Sequence, residues 1–221
     1  MLVLWSGGCD STLMLHDLAK NSTEYHPIRT ISVIHPQICA IKEQRAARKK
    51  VLRWMKKNGH HIFHQEVEIK HSGEKVLCEG SEGAYPGNGI SQYSIWMLSA
   101  VNYLQAEEDM YLGYIKGDDI WDCRYQIEES FRLLLHIMGK KGEIKFPLDR
   151  HSKPYVIQAL KERGLYDLTW YCEDPDREGK RCGVCHPCIR HDVSIFETQI
   201  KKTRSKPAEV GTKRKKARRK K

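Results

Sequence analysis

A doubly wound parallel α/β sheet is the fold class this sequence predicts, and three observations predict it. Short apolar runs alternate with amphipathic, helix-length segments over residues 1–165. The first apolar run stops at Ser6-Gly7-Gly8 and gives way at once to a helical pattern, so the chain opens as strand, tight loop and helix. Late in the chain, Cys172, Cys182, Cys185 and Cys188 crowd together at metal-ligand spacing, which adds a small C-terminal knuckle to the sheet.

The elements follow in order. Residues 1–5 are apolar on both faces, as a strand covered by helices on both sides must be. Residues 10–19, with Leu13, Leu15 and Leu18, predict the first helix. A second strand is expected at 30–34 and a helix at 41–58, whose outer face is crowded with Lys and Arg. Residues 62–69 alternate as a third strand through Phe63, His64, Val67 and Ile69. The stretch 70–89 is rich in Gly, Ser and Glu and predicts a loop that covers something. An apolar helix at 95–104, a fourth strand at 110–115 and a strongly periodic helix at 124–138 come next. A helix at 153–163, the cysteine segment and a last helix at 189–201 complete the pattern. The expected organisation is an α/β domain over 1–165, a metal-binding segment and terminal helix over 166–201 packed into the same domain, and a basic tail over 202–221 with too little apolar surface to fold.

Charge sorts the same way. The formal net charge is +10, but residues 201–221 hold 12 of the 38 Lys and Arg and a single acid, Glu209, so the body is close to neutral. Such a tail attracts phosphate backbones, although it has no aromatic residues for base stacking. A solubilising terminus is the plainer reading, with weak nucleic-acid contact as the alternative. No apolar run reaches the length of a membrane span, and the N-terminus lacks the pattern of a secretion signal. A cytoplasmic protein is therefore expected, and a homodimer is compatible with the sequence. Cys9, Cys39, Cys78 and Cys123 are scattered and show no pairing pattern.

The opening loop is built to hold an anion. Gly7 and Gly8 tolerate positive φ and present no side chain, the following helix offers unpaired N–H groups and the positive end of its dipole, and Ser6, Ser11 and Thr12 add hydroxyls. There is no P-loop lysine. Asp10 would repel a bare phosphate but suits a bridge through Mg²⁺. A tight connector, with Asp10 as a helix cap, is the competing structural reading. Cys9 sits where a helix N-terminus would lower a thiol pKa, yet it reads as filler rather than nucleophile.

Four thiolates at 172, 182, 185 and 188 can surround one Zn²⁺ with no open position, which makes the site structural. Gly183 fits the tight turn between ligands, Arg181 and Arg190 are expected to offset the charge, and His186 is a less favoured substitute ligand.

Residues 6–11, SGGCDS, resemble the SGGxDS signature of the PP-loop ATP pyrophosphatases, also called adenine nucleotide alpha hydrolase-like proteins. Within them, LTWYC at 168–172 followed by CGVCHPCIRH at 182–191 is similar to the zinc motif of the 7-cyano-7-deazaguanine synthase (QueC) family. HPQ at 35–37, GYIKGDDIWDCR at 113–124 and FPLDRHSKPYVI at 146–157 echo further family segments in the same order, so the resemblance covers about residues 1–200. Two segments depart from the pattern: DDIW stands where the family has Ser-Gly-Tyr-Pro, and PGNGISQYS where it has Pro-x-Arg-Asn.

The resemblance implies an ATP-dependent ligase. It would convert 7-carboxy-7-deazaguanine and ammonia to 7-cyano-7-deazaguanine through an adenylated acid and an adenylated amide, for queuosine or deazaguanine modification of nucleic acid. It implies ATP on Ser6, Gly7, Gly8, Asp10, Ser11 and Thr12, with Asp10 and Ser11 catalytic and Mg²⁺ and one structural Zn²⁺ as cofactors. It also lifts Asp122 and Arg124, and more weakly Asp118 and Asp119, to substrate candidates, because a carboxylate and a guanidinium match the N–H edge and carbonyl of a guanine-like ring. The competing reading makes Asp122 a helix cap and Arg124 half of a surface ion pair. A PP-loop enzyme acting on a macromolecule, and a non-catalytic zinc-stabilised binding protein, remain as alternatives.

Overall fold

A computed structural model describes residues 1–35, 38–69 and 92–204 of the chain. The predicted loop at 70–89 and the tail beyond residue 204 lie outside the described residues.

Five parallel strands form one sheet: β1 (Leu2–Leu4), β2 (Ile28–Ile34), β3 (Ile62–Glu68), β4 (Met110–Tyr111) and β5 (Ile144–Lys145), in the order β3-β2-β1-β4-β5. Six α-helices, α1 (Cys9–Ala19), α2 (Ile41–Lys57), α3 (Gln92–Val101), α4 (Arg124–Ile137), α5 (Lys153–Glu162) and α6 (His186–Arg204), connect and cover them. The strands build outward from β1 in both directions, so the order reverses between β1 and β4. In such sheets a crevice opens at that switch point, outside the carboxyl ends of the strands.

The alternation of β1 explains the two layers. Val3 and Trp5 are buried on one face among Leu13 and Met14 of α1, Val51 and Met55 of α2, and Val156 and Leu160 of α5. Leu2 and the partly buried Leu4 face the opposite core, built from Ile31, Met97 and Val101 of α3, and Ile127, Phe131 and Leu135 of α4. Fully burying side chains of this size stabilises by about 1.5–3 kcal/mol each. The Trp5 indole donates to Thr12 Oγ1 at 3.0 Å, so the one polar atom of this buried ring is satisfied.

Two expectations are corrected here. The fourth strand is two residues long, not six: Leu112 N–H still donates to the Lys145 carbonyl, but the chain then passes Gly113 over the start of α1. A Cβ on Gly113 would stand 2.7 Å from Ser11 Cα, so the strand leaves the sheet where backbone meets backbone. β5 was not foreseen at all, because two residues carry no periodicity. The last helix also begins three residues before the predicted 189 and extends through Arg204, which makes 202–204 helical rather than tail. Among the described residues no helix is long and apolar enough to cross a membrane.

His64 on β3 packs edge-on against Trp5 with ring centroids 5.1 Å apart and meets Thr30 Oγ1 at 2.8 Å. Burial pushes its pKa down to about 4, helped by the charge of Arg48 and opposed by that of Glu66. The folded state therefore refuses a proton that the unfolded chain accepts below about 6.5. The stabilisation is full above that value and is lost as the pH falls toward 4. Between pH 7 and pH 5 His64 alone should remove about 1–2 kcal/mol of the stability measured by urea unfolding, His191, whose pKa burial pushes down to about 3, should add its own share, and His64→Asn should reduce the difference. An equal pH dependence in both proteins would remove His64 as its source.

Candidate functional site

The crevice between the ends of β1 and β4 is floored by the Ser6-Gly7-Gly8 loop. Gly7 has φ +88°, and a Cβ there would lie 2.9 Å from Arg48 Cγ, so both conformation and space require glycine. Gly8 is extended and caps α1 without a side-chain hydrogen bond, leaving the first-turn N–H groups of the helix without a side-chain acceptor. Both preceding carbonyls are engaged: Ser6 C=O accepts from Arg48 Nη1 at 2.8 Å and Gly7 C=O from Trp170 N–H at 3.1 Å. Ser6 Oγ accepts from Gly8 N–H at 3.1 Å and lies 3.0 Å from Ser11 Oγ. The loop is thus held from outside, with donors and hydroxyls on its own side. Thr12 differs from the expectation, because it is fully buried with its hydroxyl under the Trp5 indole and lies behind the loop.

Arg48 holds the loop from the interior. It is 2% exposed, and its Nε and Nη2 donate to Glu66 Oε1 at 3.1 and 2.6 Å while Nη1 reaches Ser6. A buried guanidinium stays charged, so such partners are needed to offset its loss of water. The sequence placed Arg48 on a lysine- and arginine-rich helix face and gave no sign that it alone turns inward.

Asp10, in the first turn of α1, makes no capping bond. Its Oδ2 accepts from Lys153 Nζ at 2.7 Å, and its Oδ1 is buried with no hydrogen-bond partner among the described residues. Lys153 opens α5 and is 11% exposed, so the pair is largely withdrawn from bulk water. A buried acceptor without a donor is the arrangement a cation or a ligand N–H would complete. Lys153 belongs to the FPLDRHSKPYVI stretch at 146–157, and the sequence alone assigns it no role. Across the crevice, Asp118 Oδ2 accepts from Ile115 N–H at 2.7 Å and its Oδ1 from Arg190 Nη1 at 2.5 Å. Burial raises the Asp118 carboxyl pKa, the two hydrogen bonds oppose that, and the nearby Asp10 charge adds to the rise.

The substrate candidates separate. Arg124 lines an open cavity of about 410 Å³ with Lys116, Trp121, Asp149 and Arg150. Its guanidinium lies 5.3 Å from the Trp121 ring centre and 5.1 Å from that of Phe146, and pairs with Glu128 at 2.7 Å. Asp122 is exposed and does not line that cavity. Nor does it cap α4, whose N-cap is Cys123. His35 is buried beyond β2, and Pro36 and Gln37 lie outside the described residues. Cys9 is buried with its sulfur 3.1 Å from Thr169 Oγ1, and burial pushes its thiol up to about 11, so the helix N-terminus does not make it a nucleophile.

The sulfurs of Cys172, Cys182, Cys185 and Cys188 all lie within 4.8 Å of one another, a group that could hold a metal ion. Cys172 Sγ is 3.6 Å from Cys182 Sγ and 3.9 Å from Cys185 Sγ, too far for a disulfide. Backbone N–H groups of Val184 and Cys185 lower the Cys182 thiol to about 7. The two arginines expected to offset the thiolates are engaged elsewhere. Arg181 stacks on Tyr171 at 4.1 Å and donates to its hydroxyl at 3.0 Å, while Arg190 is held by Asp118.

A family model described as queuosine biosynthesis protein QueC matches residues 92–198. The chain is 36% identical over 206 residues to the 7-cyano-7-deazaguanine synthase of Pseudomonas aeruginosa (strain LESB58), covering 85% of this chain and 89% of that relative. It is 28% identical over 207 residues to the enzyme of the same name from Pseudomonas putida (strain W619), with the same coverage. The synthase from Leptospira biflexa is 27% identical over 228 residues, covering 90% and 91%.

Proposed function

The chain belongs to the 7-cyano-7-deazaguanine synthase (QueC) family, and from that premise we propose that it forms a nitrile from 7-carboxy-7-deazaguanine and ammonia at the expense of two ATP. The observation that carries the assignment of the site is Asp10, one oxygen on Lys153 and the other buried without a donor, beside a glycine loop at the switch point of the sheet.

A carboxylate is a poor electrophile because oxide would have to leave. In the proposed reaction a carboxylate oxygen of the substrate attacks the α-phosphorus of ATP, and the bond to pyrophosphate breaks. Ammonia then attacks the acyl carbon, AMP leaves with the former carboxylate oxygen, and a proton is lost to give the amide. The amide oxygen attacks the α-phosphorus of a second ATP in the same way. Loss of AMP and of both protons of the former amide nitrogen leaves the nitrile. No protein nucleophile is needed, which agrees with Cys9 being buried and its thiol pKa raised by burial.

The protein's task is positioning and charge stabilisation. The N–H groups at the head of α1 and the hydroxyls of Ser6 and Ser11 would hold the phosphates. Lys153, freed from Asp10 as the nucleotide arrives, would take a phosphate oxygen. Mg²⁺ on Asp10 would neutralise charge on the departing pyrophosphate. Arg124 would meet the carbonyl side of the heterocycle from the cavity wall, with Asp118 on the crevice side. Asp122, exposed and outside the cavity, is the weakest of the three substrate candidates.

Zn²⁺ fits the cysteine group. Four sulfurs about 2.3 Å from one centre stand about 3.8 Å apart at the corners of a tetrahedron, close to the 3.6 and 3.9 Å separations here. With four thiolates the site keeps no open position, so its contribution is to the fold.

The test is to incubate purified protein with 7-carboxy-7-deazaguanine, ammonium and Mg-ATP and to follow AMP together with product mass. AMP and a nitrile of the expected mass are the predicted result. AMP formation only after tRNA, DNA or a protein acceptor is added would overturn the free-base assignment.

A further inference from the structure

The four-cysteine knuckle is joined to the crevice at both of its ends. Two residues before Cys172, Trp170 N–H donates to the Gly7 carbonyl at 3.1 Å, and a Cβ on Gly8 would lie 3.5 Å from the Trp170 carbonyl. Thr169 meets Cys9 from the same segment. Two residues after Cys188, Arg190 reaches Asp118 Oδ1 at 2.5 Å, and Asp118 in turn fixes the turn beyond β4 through Ile115 N–H at 2.7 Å. The two arms also pack on each other: His191 is fully buried and its ring stacks on Tyr171 with centroids 3.5 Å apart and planes 6° apart. Closing the four sulfurs around an ion therefore fixes Trp170 against the loop and Arg190 against Asp118 together.

We propose that Arg190 is a positioning residue through which the four-cysteine centre and the nucleotide crevice are coupled, so that metal and nucleotide each bind more tightly in the other's presence. This rests on the reading of the Ser6–Gly8 loop as an ATP site. The physical basis is geometric. The Asp118 carboxylate has one oxygen fixed by its own turn and the other by a guanidinium from a different element, so its direction depends on where α6 begins. The first turn of α6 carries Cys188, so the start of the helix depends on the metal. The Asp118 side chain is 13% exposed, so the loss of Arg190 removes the partner that orients its second oxygen. Linkage makes the effect reciprocal: whatever factor the metal adds to nucleotide affinity, the nucleotide adds to metal affinity.

The experiment uses the full chain loaded with zinc. The probe is the magnesium complex of an ATP analogue with a methylene bridge between its α- and β-phosphates, which binds without transferring AMP. Calorimetry gives its affinity, and a colorimetric chelator reports the rate of zinc loss with and without it. In the wild type the analogue should slow zinc loss by roughly tenfold, within the usual range of coupling between two sites. Arg190→Met should weaken the analogue by a similar factor and remove most of the protection. It should also raise KM for ATP more than it lowers kcat, and Arg190→Lys should restore part of both. Asp118→Asn leaves one acceptor oxygen for both Ile115 N–H and Arg190, which weakens the same contact from the far side without touching α6, so it should reproduce the loss even if Arg190→Met disturbs the knuckle. The double variant should be no worse than the weaker single one. Unchanged protection in both Arg190→Met and Asp118→Asn would overturn the role of Arg190. Binding of the analogue by the wild type with no effect on zinc loss would overturn the coupling alone, whereas no binding at all would also overturn the ATP reading of the loop.

Discussion

Asp10→Asn should leave a folded protein that has lost at least about 100-fold in AMP formation, the scale expected when a charge-stabilising group is removed from a reaction centre. Stability should change little, because Gly8 and not Asp10 caps α1. The substitution costs one ion pair with Lys153, and the amide oxygen can still accept from Nζ. A loss of about 1 kcal/mol would move Tm by only about 2–4 °C in a domain of this size. The amide does not replace a carboxylate as a ligand for Mg²⁺, a hard cation that prefers charged oxygen. Turnover and thermal unfolding measured on one preparation decide between the two readings of this residue. Turnover within threefold of wild type would return Asp10 to a structural role.

Cys185→Ser should lose the bound metal and lower Tm by at least about 6–12 °C, corresponding to about 3 kcal/mol or more of lost stability. A serine hydroxyl is nearly the same size but is not a thiolate at neutral pH, and three ligands cannot close the tetrahedron. The effect should exceed a local one. Cys172, the first cysteine of the group, is two residues from Trp170, whose N–H holds the Gly7 carbonyl. Metal content by elemental analysis of the purified variant is the direct measurement, and one metal per chain in Cys185→Ser would refute the ligand set.

Much of this architecture was legible in the sequence, for physical reasons that can be named. β1 and α1 were readable because a strand buried on both faces has no polar position until it ends, and the glycines mark that end. α4 was readable because Ile127, Phe131 and Leu135 recur every four residues on its buried face. β5 was not, since two residues hold no pattern, and its existence depends on β4 offering a free edge. The four cysteines announced themselves by spacing alone, and Ser6, Gly7, Gly8 and Asp10 by order along the chain. Lys153 and Arg48 did not, because their meaning lies in what they meet: Asp10 is 143 residues from one, and Ser6 is 42 residues from the other. Asp122 and Arg124 are two positions apart in the sequence, but the short 3-10 turn at Asp119–Cys123 leaves Asp122 exposed while Arg124, at the head of α4, lines the cavity.

The position of β1 also governs how the chain assembles. β1 precedes the other four strands along the chain and is the central one, with Leu2 registered against Arg29 on one side and Met110 on the other. One edge finds its partner early in synthesis, but the other stays open until the chain has grown past residue 110 and folded back. During that interval an apolar strand offers its unpaired N–H and C=O groups to any other chain nearby. From this topology the arrival of β4 is the step expected to leave the chain vulnerable, and variants that delay it should aggregate before they ever show a defect in the finished fold.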